Sequence, residues 1–210
     1  MLDRSQVTEL RGGARLEYWP SFLGKEAQTE LFARLLATLP FRVLPIRMFG
    51  KEHEQPRETS WHGPGPYTYS GLTLEPEPWT DELLAVRERI LQITGLELSS
   101  VLVNHYRDGQ DRMGWHADDE PELGEDPIVA SLSLGATRRF RLKHKERKKE
   151  THSLELDGGS LLVMNGATQR HWLHSVPPTK KPVGPRINLT WRPWAERREL
   201  TVEEVERAQS

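Results

Sequence analysis

Apolar side chains at Ala27, Leu31, Leu35, Leu36 and Leu39 recur at the three- and four-residue spacing of one helix face, predicting a helix over 24–38 that Pro40 stops. A second runs from Thr80, whose hydroxyl suits an N-cap, through Leu83, Leu84, Val86, Ile90 and Leu91 to a terminating Gly95. Both stripes belong against a core. Between them, Pro56, Gly63, Pro64, Gly65, Pro66, Gly71, Pro76 and Pro78 cut the chain into short pieces carrying Trp61, Tyr67 and Tyr69, the composition of a shaped loop region. From Val101 the period drops to that of strands: VLVNHY, PIVASLSL, RRFRLKHK, SLELDGGSLLVMN and RINLTWR, separated by turns. Helices followed by a run of strands define an α+β domain whose core is a sandwich, jelly roll or small barrel. Residues 1–100 are expected to hold the helices and the loop region and 101–195 the β core, together one compact domain. Residues 196–210 form a charged tail that frays or makes one exposed helix.

Two strands carry unusual polar faces. In Arg186–Arg192, Ile187, Leu189 and Trp191 occupy one side and Arg186, Asn188, Thr190 and Arg192 the other; Asn104 and Tyr106 alternate in the same way with Val101, Val103 and His105. Solvent is the usual neighbour of such a face. Two guanidiniums beside neutral hydrogen-bonding groups also suit a pocket for a small dicarboxylate, which arginine binds bidentately.

The 210 residues suffice for one domain burying roughly 70% of its unfolded surface. The absence of cysteine excludes disulfides, thiolate zinc sites and Cys nucleophiles, so a metal must be held by His, Asp or Glu, and an intracellular setting is expected. With 29 Lys+Arg against 31 Asp+Glu, the net charge of −2 excludes a globally basic coat; contact with a polyanion requires a local patch. One exists at 138–149, where Glu146 alone opposes a run from Arg138 to Lys149 that reads as a solvated hairpin or a phosphate contact. A mean hydropathy of −0.66 and the lack of a long apolar stretch argue against a membrane span, and MLDRSQVTEL has no secretory core. A soluble, cytoplasmic protein is expected, nuclear in a eukaryote.

The candidate chemistry begins at Trp115-His116-Ala117-Asp118. In an extended segment residues i and i+2 share a side, so His116 and Asp118 present an imidazole and a carboxylate to one ion. A third ligand is available from His171 or His174. Two His and one carboxylate on one face of an octahedron leave three positions open, the arrangement of non-haem Fe(II) oxygenases. H-x-D alone describes a loop His beside a turn Asp equally well.

Taken in order, N-H-Y-R-D-G-Q-D-x-M-G-W-H-A-D-D-E, P-I-V-A-S-L-S-L-G-A-T-R-R-F, D-G-G-S-L-L-V-M-N-G-A-T-Q-x-x-W-x-H-S-V-P and P-R-I-N-L-T-W-R resemble the AlkB family of Fe(II)/2-oxoglutarate dioxygenases. P-R-E-T-S-W-H-G-x-x-P-Y-T-Y-S-G-L-T resembles its DNA-base-repair branch, and the resemblance runs from about Pro56 to Arg192. It implies a double-stranded β-helix with the N-terminal helices packed on it, and iron at His116, Asp118 and His174. His174 is preferred to His171 because the family's distal ligand precedes S-x-P.

The resemblance also assigns 2-oxoglutarate to Asn104, Tyr106, Arg186, Asn188, Thr190 and Arg192, with Arg186 at the far carboxylate and Arg192 nearer the metal. Six strand residues span about 20 Å, so both arginines reach one small ligand only if their side chains converge. Trp61, Tyr67 and Tyr69 become a lid under which an extruded base stacks between Tyr69 and His116, and Asp119 a base contact. The implied activity is O2-dependent removal of N-alkyl groups from bases such as 1-methyladenine and 3-methylcytosine in DNA, releasing formaldehyde, succinate and CO2. Methylated RNA or a protein side chain is the alternative substrate, a non-catalytic jelly-roll binding module the alternative class, and a monomer the expected state.

Overall fold

The computed structural model describes residues 5–48, 51–69, 72–120 and 123–194, for 46–48, 51–53, 69 and 72 the backbone only. The chain opens with a hairpin that the sequence pattern did not announce, β1 (Gln6–Glu9) and β2 (Ala14–Trp19). Then come α1 (Lys25–Thr38) and five short strands: β3 (Pro45–Met48), β4 (Lys51–Glu54), β5 (Glu58–His62), β6 (Tyr67–Tyr69) and β7 (Leu72–Leu74). α2 spans Asp81–Thr94, with the Thr80 hydroxyl accepting from the Leu83 N–H and Gly95 following at φ 72°, as its sequence predicts. The remainder is β8 (Ser100–Tyr106), β9 (Met113–His116), β10 (Val129–Gly135), β11 (Arg138–His144), β12 (Thr151–Leu156), β13 (Leu161–Gly166), α3 (Thr168–His171), β14 (Trp172–Val176) and β15 (Arg186–Arg192).

A seven-stranded antiparallel sheet, in the order β1-β2-β13-β10-β15-β8-β5, faces a four-stranded one, β12-β11-β14-β9. Together they make the jelly-roll core of the expected α+β fold. The first hundred residues supply strands β1, β2 and β5 to the larger sheet as well as the two helices, so that sheet runs across residue 100 without a break. The hairpins β3-β4 and β6-β7 stand apart from both sheets.

Side-chain alternation sorts the interior into two layers. Ile187, Leu189, Trp191, Val101, Val103 and Leu132 turn outward from the larger sheet and are covered by Leu35 of α1 and Leu83, Val86 and Ile90 of α2. The other face, Val129, Leu162, Met164 and Tyr106, meets Phe140, Leu142, Leu156 and Trp172 of the smaller sheet. β15 is therefore buried on both faces. Solvent is excluded as the neighbour of its polar side, which the helices force inward between the sheets. Leu36, part of the predicted stripe of α1, is instead exposed, because the covering layer reaches only the Leu35 side of that helix.

Candidate active site

β9 and β14 pair so that His116 lies directly opposite His174, with ring centroids 4.1 Å apart. Asp118, two residues beyond the end of β9, turns Oδ2 to within 3.4 Å of His174 Nε2. Ligand atoms from the three residues all lie within 4.8 Å of one another. His171 is on α3, its ring parallel to that of His144 at 6.0 Å and packed against Gly12, so it is His174 that joins the cluster.

The electrostatics keep three lone-pair donors available. Burial lowers the His116 pKa, and burial with the neighbouring His116 ring lowers that of His174 to about 3, so both rings are neutral at pH 7. His116 Nδ1 faces the Gly114 carbonyl at 2.9 Å; as donor there it leaves Nε2 unprotonated. Burial by itself would raise Asp118, but the charge and hydrogen bonds of the Arg192 guanidinium outweigh it and hold the carboxyl at about 2. Arg192 grips Asp118 Oδ1 through Nε (2.9 Å) and Nη2. The Asp118 N–H donates to Gln169 Oε1 at 3.0 Å. Asp118 Oδ2 is left buried with no hydrogen-bond partner. An orphaned carboxylate oxygen facing two neutral imidazoles is the donor set of a divalent first-row metal, so these residues fit an iron ion.

A narrow cleft leads away from this cluster between the sheets, bounded by the polar side chains of Asn104, Tyr106, Ser131, Asn188, Thr190 and Arg192 and by apolar ones, Met113, Phe140 and Met164 among them. Its polar side chains are held by their neighbours: Asn188 Nδ2 donates to Ser131 Oγ (2.9 Å) and to the Leu132 carbonyl (3.0 Å), and Asn104 Oδ1 accepts from Arg57 Nε (2.7 Å). Arg186 is fully buried, its guanidinium carbon 5.0 Å from the Tyr106 ring centroid. Nη2 donates to Ser133 Oγ, while Nε and Nη1 have no partner, and burial lowers the pKa. A buried guanidinium with two unused donors fits a carboxylate. The two arginines of β15 have different neighbours: Arg192 lies against Asp118, and Arg186 beside the ring of Tyr106, a residue of the cleft lining.

Trp61 and Tyr67 are both buried, stacked at 4.7 Å, and Trp61 Nε1 donates to the Gly65 carbonyl. Tyr67 is the nearer to the cluster, with Arg192 5.5 Å over its ring and its hydroxyl donating to Glu120 Oε1 at 2.8 Å. Trp61 lies behind it as support. Tyr69 ends β6, but its side chain lies outside the described residues.

Asp119 points elsewhere: its carboxylate is largely exposed and pairs with Lys145 at 2.9 Å. Glu120 faces the site instead, with Oε2 buried and unpartnered and its pKa raised by burial and by Asp118. The i, i+2 spacing from Asp118 was the available signal for Glu120. Gln169, Arg57, Ser131 and Ser133 had none, since each acts across more than 45 residues of sequence.

The basic run divides by strand parity. Arg139, Arg141 and Lys143 turn outward, the last two over the partly exposed Trp115 ring at 5.4 and 4.5 Å. Arg147, Lys148 and Lys149 are exposed in the turn before β12. Arg138 is buried, so the expectation of one continuous solvated run is corrected there.

This arrangement is that of an iron- and 2-oxoglutarate-using oxygenase, and the model of the 2OG-Fe(II) oxygenase superfamily matches residues 15–192. The chain belongs to that superfamily, and within it to the AlkB family. It is 42% identical over 181 residues to the DNA oxidative demethylase ALKBH2 of Bos taurus, covering 80% of this chain and 65% of that protein. It is 38% identical over 205 residues to the human alpha-ketoglutarate-dependent dioxygenase alkB homolog 3, covering 91% of this chain and 72% of that one. The chain thus spans about two thirds of the length of these relatives. The solved structure of OsALKBH1 superposes with a TM-score of 0.60 at 20% identity, over 90% of this chain and all of that one, a likeness of fold. Iron(II), 2-oxoglutarate and O2 are the cofactor and co-substrates of the family. No helix among the described residues is long and apolar enough to cross a membrane.

Proposed function

We propose that this chain is an oxidative dealkylase that removes small N-alkyl groups from bases of the 1-methyladenine and 3-methylcytosine type in DNA. The observation that carries the reading is the His116–Asp118–His174 cluster, with a buried, orphaned Asp118 oxygen, at a cleft whose Tyr106 is backed by a buried arginine with two unpartnered donor nitrogens. DNA as the polymer is supported by the relative named as a DNA oxidative demethylase.

Bound iron, with 2-oxoglutarate and O2, supplies the oxidation of the N-alkyl carbon, which for a methyl group leaves as formaldehyde with succinate and CO2 as co-products. The chain's own residues do the rest. His116, Asp118 and His174 hold the metal, and Arg192 keeps Asp118 ionised and fixes the oxygen not offered to it. Arg186 and Tyr106 take the far carboxylate of 2-oxoglutarate, while Asn104, Asn188 and Thr190 line its path. Tyr67, backed by Trp61, flanks Arg192 at the metal end, and Glu120 offers a carboxyl to the edge of an entering base. A methyl on the Watson–Crick edge already prevents pairing, so extrusion of that base costs least.

The deciding experiment is formaldehyde and succinate release with iron(II) and 2-oxoglutarate on matched oligonucleotides carrying 1-methyladenine in DNA or in RNA, and on a methylated peptide. DNA turnover at least tenfold above the other two is expected. Succinate formed equally with every substrate would sink the DNA assignment, and none with any substrate would leave a binding module.

A further inference from the structure

β11 turns Arg138, Phe140, Leu142 and His144 inward. Inward positions of a jelly-roll strand are normally apolar, yet this row begins with a guanidinium on a residue only 2% exposed. Its donors go to neutral groups: Nη1 to the Asp108 carbonyl (3.0 Å), Nη2 to the carbonyls of Asp111 and Pro177 (both 2.8 Å). Those bonds engage both terminal nitrogens, while the carboxylates of Asp111 and Asp108 act on its charge only from beyond ion-pair distance. The nearby Asp111 carboxylate is already bound by Arg107. Burying a charge is expensive unless something compensates it.

The Arg138 guanidinium carbon lies 5.6 Å from the centroid of the Tyr106 ring, the same ring that Arg186 approaches at 5.0 Å. Two buried cations therefore share the ring of Tyr106, a residue of the cleft lining, and among the described residues neither has a carboxylate within ion-pair distance. Their mutual repulsion is relieved by an anion arriving at Arg186, whose Nε and Nη1 are free.

We propose that Arg138 is a positioning residue for the co-substrate: it fixes Tyr106 and the 107–112 turn, and it places a second positive charge behind Arg186, so that the cleft selects 2-oxo acids with a far carboxylate over singly charged ones. This rests on reading the cleft as the 2-oxoglutarate site. A purely structural arginine would lower stability without distinguishing the two kinds of acid.

The test is calorimetric binding of 2-oxoglutarate and of 2-oxopentanoate, the same five-carbon chain without the far carboxylate, to the full chain loaded with zinc(II). Arg138→Met is expected to weaken 2-oxoglutarate about tenfold and 2-oxopentanoate less than twofold. Arg138→Lys, which keeps the charge, is expected to restore 2-oxoglutarate affinity to within about threefold of the wild type. Equal weakening of both acids, or of neither, overturns the inference.

Should Arg138→Met fail to fold, the Nε–H resonance of Arg138 in the zinc-loaded wild type decides. It should shift with 2-oxoglutarate and stay fixed with 2-oxopentanoate; no shift with either acid overturns the inference. A wild type that binds no 2-oxoglutarate, or an Arg186→Leu variant that binds it undiminished, would remove the underlying reading of the cleft. Normal wild-type binding with unaltered Arg138 variants would remove the role of Arg138 alone.

Discussion

Asp118 meets three demands at once: Oδ1 takes Arg192, the backbone N–H donates to Gln169, and Oδ2 is left for an ion. Gln169 is fully buried, its amide nitrogen against Met164 Sδ at 3.7 Å, so its orientation is fixed from behind. Gln169→Leu should leave the Asp118 N–H unsatisfied at a cost of about 1–3 kcal/mol, and weaken Mn(II) affinity about 10- to 100-fold, as lost support of a metal ligand does. Thermal melting and metal titration read the two effects separately; a stability loss with unchanged metal affinity would mean that Asp118 holds its place without Gln169. The two late histidines divide in the same way. His174→Ala should abolish metal binding, whereas His171→Ala should change it less than about threefold while loosening the packing against Gly12 and His144. The reverse pattern would refute the ligand assignment.

Each element answers for the placement of a functional group rather than for its own stability. α1 lacks a side-chain cap at Gly24 and buries Leu35, so its hold on β10 and β15 comes from packing. Leu35→Ala should cost about 2–5 kcal/mol, visible in urea denaturation; a value below this range would show that the neighbouring layer collapses into the space. The turn between β8 and β9 is tied by Arg107, which donates to Asp111 Oδ2 through both its backbone N–H (2.9 Å) and Nε (2.8 Å).

Burial pushes the Asp111 carboxyl upward, but the bonds from Arg107 outweigh it and leave the pKa below the ordinary carboxylate range. Its contribution is therefore present above about pH 4 and is lost as pH falls through the lowered folded value. Arg107 is half exposed, so Asp111→Asn should cost only about 1 kcal/mol at pH 7. The same variant should lose less stability than the wild type as the pH is lowered below 4; parallel pH profiles would show that the turn does not depend on this charge.

Over the whole molecule, a net charge of −2 hides an uneven distribution. Arg147, Lys148 and Lys149 project from the turn before β12, while Glu125 and Asp126 are neutralised in part by Arg170. The acidic segment after Asp118 is thus partly paired, and in the basic turn Arg147 meets Glu150 at 3.9 Å while Lys148 and Lys149 are exposed. Changing Arg147, Lys148 and Lys149 together to Ser should reduce the slope of log affinity against log salt by about 0.9 for each lost phosphate contact on duplex DNA. A free methylated nucleoside should be turned over as before. An unchanged salt slope would make the turn a solvated hairpin only.

Much of this was readable along the chain. Helix ends followed from Thr80 and Gly95, because caps are local chemistry, and β8, β10, β11 and β15 from two-residue alternation, because a strand shows its faces at that period. The ordered motifs also carried His116, Asp118 and His174, which the fold brings into one cluster able to hold a metal ion, and the polar rows of Asn104, Tyr106 and β15. The hairpin β1-β2 escaped, since its short strands acquire a buried face only by joining β13. Spacing alone grouped Glu120 with Asp118 and Arg138 with Phe140 but could not say which side would be buried, and nothing local could bring Gln169 to Asp118. Those outcomes depend on which side of a strand or loop another element covers. Local sequence sets periodicity and capping, whereas burial, and with it the strength of every charge and hydrogen bond in the cleft, exists only once the two sheets and the helices have closed around it.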